Sequence, residues 1–270
     1  RLGDVYKRQN MSSYILCQTK KAEKPYYIEN ISTNIYSIEE LCYYLYHNLY
    51  LIDSTIINEG LCKWLEEELE LTRLAAKLRP YLGKFAGAED ILYPVFKEIN
   101  YLTYEELRVL NGKIAKLNKE ELPVREKKKG DALVENGMYV NAIHVYQKLL
   151  ECSERLKGQP ELTESIYHNL GCAYSYLFQM EKALEYFQKA YEVSNSEKEM
   201  KTYLLAYKSL HTPKEYESRV KEIQPGETVL KEVKEAIAHF ERAPENKISS
   251  GDIDKMLEGF IKEYHRSTGA

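Results

Sequence analysis

The chain has 270 residues, with 38 lysines and arginines against 42 aspartates and glutamates, and its formal net charge is −4. Charged residues make up 30% of it and no run of about 18 apolar residues occurs, which excludes a membrane-embedded protein. A mildly acidic chain also lacks the broad positive field of most nucleic-acid binders. We therefore expect neither a membrane nor a nucleic acid as its partner.

The first residues do not have the pattern of a secretory signal, because an apolar core and a small-residue cleavage site are both missing. Residues 4–9 instead resemble the in-frame translation of a sequencing adapter. We expect residues 1–10 to be a non-native leader, with the native chain beginning at Met11.

Residues 11–120 are predicted to form an N-terminal domain that opens with a small β-hairpin. Apolar runs at 14–19 and 26–28, separated by a charged turn, predict its two strands. Ser37 and Glu40 then form a capping box, which predicts the start of a helix.

The helix predicted over 37–50 is apolar on most of its sides, because tyrosines fill the positions between its aliphatic residues. Such a helix is either central in its domain or covered by a partner. Proline residues predict breaks or kinks at Pro80 and Pro94. Apolar periodicity predicts further helices over 56–70, 72–84, 88–101 and 103–118.

An internal repeat follows residue 120. Two windows align, with the same Gly-to-Ala spacing of 12 residues from Gly130 to Ala142 and from Gly171 to Ala183. Small residues let two antiparallel helices cross closely, and a hairpin of this kind has to stack on its neighbours to bury its apolar face. The predicted structural residues of the repeat are Gly130, Ala142, Tyr146, Leu170, Gly171, Tyr174, Ala183, Phe187 and Ala190.

These residues resemble the tetratricopeptide repeat. The segment 164–197 matches the motif closely, with Tyr167 where the motif usually has Trp and Asn195 where it usually has Pro. The segment 123–156 matches it more weakly, and 198–225 is a degenerate third copy. The resemblance implies a mainly α fold, with a short α-solenoid of helical hairpins over 121–225. Helices in 226–270 are predicted to cap the stack or to dock in a partner's groove.

In the resembled family the first helices of the hairpins line a concave groove, and some members clamp a C-terminal carboxylate there with Lys and Asn. By alignment Lys127 and Asn169 match clamp residues, but Asp131 stands where another Asn is usual and would repel an anion. The mixture of residues in this groove suits an extended peptide or a helix with some apolar content. The candidate groove residues implied by the resemblance are Lys127, Asp131, Val134, His168, Asn169, Cys172 and Tyr176.

Motifs for catalysis, cofactors or metals do not occur. The sequence contains no glycine-rich phosphate loop, no HExxH and no GxSxG, and its six histidines form no metal-binding pair. Its five cysteines include no CxxC pair, which indicates neither a disulfide framework nor a zinc ribbon. We expect a cytoplasmic protein without cofactor, metal or enzymatic activity.

The basic run 125–129 is the densest cluster of positive charge. It is short and isolated for a nucleic-acid patch and better suited to a groove for an acidic peptide.

The predicted function is a scaffold or adaptor that binds a peptide or protein segment in the groove of the repeats. A peptide-responsive regulator with the N-terminal domain as its effector is the alternative, and a helical enzyme with its chemistry in residues 11–120 is the third hypothesis. If the groove is not the interface, the tyrosine-rich helix over 37–50 is the next candidate.

Overall fold

The computed structural model describes residues 19–82 and 88–241, and this part of the chain is mainly α-helical. The leader and the C-terminal helix expected after residue 249 lie outside the described residues. The chain divides into two compact units, residues 1–210 and 211–270.

The β-hairpin consists of β1 (Tyr26–Ile28) and β2 (Thr33–Ile35), which pair antiparallel with Tyr26 opposite Ile35. Ile28 and Ile35 are buried. The strand predicted at 26–28 is present, but its partner in the described residues is β2. Strand β2 was not predicted, because it has only three residues, two of them exposed and polar. The strand predicted at 14–19 lies outside the described residues except for its last position.

The described residues that follow in the N-terminal region form the α-helices α1 (Ile38–His47), α2 (Glu59–Glu67), α3 (Thr72–Leu78), α4 (Ala88–Glu98) and α5 (Tyr104–Lys119). The predicted capping box is formed, since Ser37 Oγ accepts from the Glu40 backbone and the Glu40 carboxylate accepts from the Ser37 backbone. At Pro80, α3 has already ended and a 3-10 turn takes over. Pro94 lies inside α4 without ending it.

Helix α1 presents one face to the core of this region. Leu41, Cys42 and Leu45 are fully buried, whereas Tyr43 is 60% exposed. The hairpin joins the same core through Trp64 of α2, whose indole N–H donates to the Lys24 carbonyl at 2.9 Å.

The repeat region consists of α6 (Leu122–Glu135), α7 (Tyr139–Glu151), α8 (Pro160–Tyr176), α9 (Met180–Ser194) and α10 (Glu197–Leu210). Each of these helices packs against the next, and α6 also contacts α8. The prediction of stacked helical hairpins preceded by a small β-hairpin is confirmed.

Within each hairpin an aromatic ring covers the glycine of the first helix. A Cβ atom added to Gly171 would lie 2.5 Å from the Phe187 ring, and one added to Gly130 would collide with the Tyr146 ring. Ala142, Ala183 and Ala190 are fully buried. These positions are therefore places where a larger side chain has no room.

The second unit is described from residue 211 to 241 and holds α11 (Pro213–Ile223) and α12 (Glu227–Glu241). Thr212 and Glu215 form a capping box at the start of α11. The boundary between the units falls inside 198–225, so the third repeat stays a prediction. Within the described residues no helix is both long enough and apolar enough to cross a membrane.

Candidate functional site

The predicted groove residues lie on the first helices of two successive hairpins. Helix α6 carries three of them and α8 carries four, mostly at spacings of three or four residues, so those of each helix share one side. We call this surface the α6–α8 face and define it by Lys127, Asp131, Val134, His168, Asn169, Cys172 and Tyr176.

Asp131 is the centre of a hydrogen-bond network on this face. Its Oδ2 lies 2.7 Å from the Lys127 ammonium, and its Oδ1 accepts from the Asn169 amide at 2.7 Å and from the Tyr146 hydroxyl at 2.6 Å. Burial raises the pKa of Tyr146 and the acceptor at Asp131 raises it further, so the phenol stays protonated as a donor. The two residues that match a carboxylate clamp are thus bound to the protein's own carboxylate.

His168 is held by an acidic residue that sequence analysis did not identify. Its Nδ1 lies 2.7 Å from Oε2 of Glu199, whose side chain is fully buried at the start of α10, and the Lys198 ammonium lies 3.0 Å from Oε1. Burial acts to raise the pKa of Glu199, but the bonds to His168 and Lys198 outweigh it and hold this pKa below its ordinary value. Nothing in the sequence distinguishes Glu199 from the exposed glutamates around it.

The remaining members of the face are less polar. Val134 and Cys172 are half-buried. Burial, followed by the charge of Glu199, raises the pKa of the Cys172 thiol, so it is not an activated nucleophile. Tyr176 is 60% exposed and stacks on Tyr139 with ring centroids 4.6 Å apart.

Each lysine of the basic run forms an ion pair with a carboxylate. Lys127 binds Asp131, Lys128 binds Glu120, and Lys129 lies 2.8 Å from Asp53. Lys128 also donates to the Tyr50 hydroxyl at 3.1 Å. The contacts of Lys128 with Tyr50 and of Lys129 with Asp53 tie α6 to the N-terminal region, and all three lysines of the run are engaged in ion pairs.

A cavity of about 370 Å³ adjoins the α6–α8 face. Its walls are the end of α1 with the turn after it, including Tyr46 and Tyr50, the middle of α5, and the side of α6 that carries Asp131 and Glu135. The tyrosine-rich helix over 37–50 was the predicted alternative interface, but the periodicity of its residues does not show that α5 and α6 lie beside it.

No group of three or more histidine, cysteine, aspartate or glutamate residues is arranged to hold a metal ion in the described ranges. The face itself carries hydrogen-bonded and ion-paired polar groups beside the half-buried Val134 and Cys172.

Comparison with known families supports this assignment of the repeats. Residues 126–196 match the model of the tetratricopeptide repeat, which confirms the resemblance in both hairpins. No curated protein and no solved structure gives a significant match to the chain.

Proposed function

Because residues 126–196 consist of tetratricopeptide repeats, which indicate a protein–protein interaction module, we propose that this chain is a scaffold or adaptor. On this proposal a peptide segment of another protein binds on the α6–α8 face. The observation that carries the proposal is the construction of the face, with an exposed tyrosine and half-buried apolar side chains beside polar groups already fixed in place.

Fixed polar groups support binding because they do not lose side-chain freedom when a ligand arrives. The Asn169 amide and the Lys127 ammonium are both oriented by Asp131. Tyr176 stacks on Tyr139 and offers a large, rigid contact surface at little entropic cost.

The ligand that suits this face is an internal peptide segment rather than a C-terminal carboxylate. A terminal carboxylate would have to displace Asp131 from Lys127 and Asn169, and it would then lie beside the displaced negative charge. An internal segment has no such charge at its backbone.

The cysteines Cys42, Cys62, Cys152 and Cys172 are free thiols. This supports a reducing compartment, and we propose the cytoplasm as the place of action.

The proposal is tested by selecting binders from a displayed library of random peptides on the full chain. Selected peptides are then resynthesised and titrated against Tyr176→Ala. We expect this variant to weaken binding about tenfold or more, because tyrosine is among the residue types that contribute most to the free energy of binding at interfaces.

The matched control is Phe178→Ala, which removes another exposed aromatic ring two residues further along the chain but outside the face. Equal affinity of wild type and Tyr176→Ala would move the interface elsewhere. A selection that yields no binder would remove the peptide-binding proposal.

A further inference from the structure

We propose that the cavity beside the α6–α8 face, which we call the lysine pocket, receives an acidic side chain of the bound peptide together with an adjacent apolar side chain. The lysine pocket is defined by Tyr46, His47, Tyr50, Lys113, Lys116 and Glu135. This inference rests on the proposed function and names the chemistry of the peptide that the chain selects.

The charge of the pocket favours an acidic group at the α5 wall. Lys113 and Lys116 are exposed, lie one turn apart on α5, and form no ion pair among the described residues. Lys128, the third lysine of the lining, is already bound to Glu120. Lys116 also interacts electrostatically with Glu120, but neither lysine has a carboxylate within ion-pair distance among the described residues, so both ammonium groups can form a charge-assisted hydrogen bond to a carboxylate.

The acids of the lining do not cancel this charge. Asp131 is neutralised by Lys127, and Glu135 is exposed on the opposite wall. Lys113 and Lys116 therefore leave two uncompensated positive charges on the α5 wall, and Glu135 leaves one negative charge on the α6 wall. A peptide that directs its acidic side chain towards α5 is attracted by the two lysines and keeps its negative charge away from Glu135.

The pKa of His47, the histidine of the pocket, is affected by the same positive charge. Burial lowers the pKa of His47, and the charge of Lys113 lowers it further. The imidazole is consequently neutral in the physiological range and does not compete with the two lysines for the ligand.

The rest of the lining suits an apolar neighbour of the acidic residue. The rings of Tyr46 and Tyr50 and the side chain of Leu117 supply apolar surface. The Lys113 ammonium lies 5.0 Å from the centroid of the Tyr46 ring, so this cation is next to apolar surface of the lining. A volume of about 370 Å³ is near the lower end for ligand sites and fits side chains rather than a long segment.

The cavity and the α6–α8 face share one residue, since Asp131 lines the cavity and is also the centre of the hydrogen-bond network on the face. On the face, Lys127 and Asn169 are already bound to Asp131. In the pocket, Lys113 and Lys116 form no ion pair among the described residues. The anionic part of the ligand is thus recognised beside the repeats and not between them.

The test uses the peptides selected on the full chain. We expect the selected sequences to be enriched in aspartate or glutamate next to an aliphatic or aromatic residue. Lys113→Glu with Lys116→Glu should weaken their binding about tenfold or more, since attraction is replaced by repulsion. The double variant Lys113→Gln with Lys116→Gln should lose less binding affinity. It replaces the charge-reversed double variant in the test if that variant does not fold.

The matched control is Lys97→Glu with Lys119→Glu, which changes the net charge equally at exposed positions outside the pocket. If both double variants weaken binding alike, or neither does, the pocket inference is wrong. Peptides that bind through Tyr176 without acidic enrichment also overturn it while leaving the proposed function intact. Failure to select any peptide overturns both.

Discussion

At the scale of single residues, the aromatic rings that cover the two glycines of the repeat leave no room for a side chain at these positions. Gly171 and Gly130 each lie under an aromatic side chain of the following helix, Phe187 and Tyr146. This relation was predictable, because small residues at helix crossings recur at a fixed spacing. Glu199 of α10 was not predictable, because no periodic signature marks it, whereas the resemblance to the repeat family placed Asp131 of α6 among the groove residues.

Gly171→Ala should lower the free energy of unfolding by about 1–3 kcal/mol, because the added Cβ overpacks the contact with Phe187. The control is Gly112→Ala in α5, where no atom lies within 4 Å of the added Cβ and alanine should stabilise the helix by about 1 kcal/mol. Denaturant unfolding of the two variants measures both effects. Equal stability of wild type and Gly171→Ala would show that the crossing is not tightly packed.

Phe178 occupies the left-handed backbone region with φ of 56°, at the position where the first hairpin has Gly137 with φ of 73°. Its side chain is 90% exposed and gains little from burial. Phe178→Gly should therefore be about 1 kcal/mol more stable than Phe178→Ala, which keeps the strained Cβ. Thermal unfolding compares the two, and a more stable alanine variant would contradict this account of the turn.

At the scale of elements, the helices were predictable and their partners were not. A capping box is a local signal, and the one predicted at Ser37 marked the start of α1 correctly; in the structure Thr103 and Thr212 cap α5 and α11 in the same way. The pairing of β1 with β2 and the contact of α6 with the turn at Leu49–Leu51 depend on distant parts of the chain. The lysine pocket arises from that second contact, so sequence reasoning did not find it.

The connection between α8 and α10 through His168 and Glu199 should depend on pH. Because the pKa of Glu199 is held below its ordinary value in the folded chain, its ionised form stabilises the fold above the unfolded pKa of about 4.5. This contribution is lost as the pH falls through the lower, folded-state pKa. Glu164 has the opposite effect on the pH dependence of stability, since burial and the charge of Glu199 raise its pKa.

Glu199→Gln should accordingly reduce the free energy of unfolding by about 1–3 kcal/mol at neutral pH. The difference from wild type should shrink on acidification below the ordinary glutamate range. The control is Glu185→Gln, which removes an exposed pair with Lys189 and should change stability by less than about 1 kcal/mol. A difference that stays constant down to strongly acidic pH would refute the role of the Glu199 charge.

At the scale of the whole molecule, the electrostatic character follows from internal pairing. The net charge is −4, and the lysines of the run 125–129 are bound to Asp131, Glu120 and Asp53. The sequence showed the cluster of positive charge but could not show that distant carboxylates neutralise it. The protein therefore presents no extended cationic surface at this run.

The chain should accordingly show no band shift with duplex DNA at low salt, where binding through phosphate contacts is strongest. An electrophoretic mobility-shift assay with the full chain checks this, with a basic DNA-binding domain as the positive control. Salt-sensitive binding by the chain would mean that cations other than the paired lysines form a nucleic-acid surface.

The most direct test of peptide binding on the α6–α8 face is to locate a bound peptide on the full chain. A selected peptide carrying a photo-activatable aromatic residue is irradiated with the protein, and the cross-linked residues are identified by mass spectrometry. The account predicts cross-links in α6 and α8, with Tyr176 and the walls of the lysine pocket among them. Cross-links confined to other helices would contradict it.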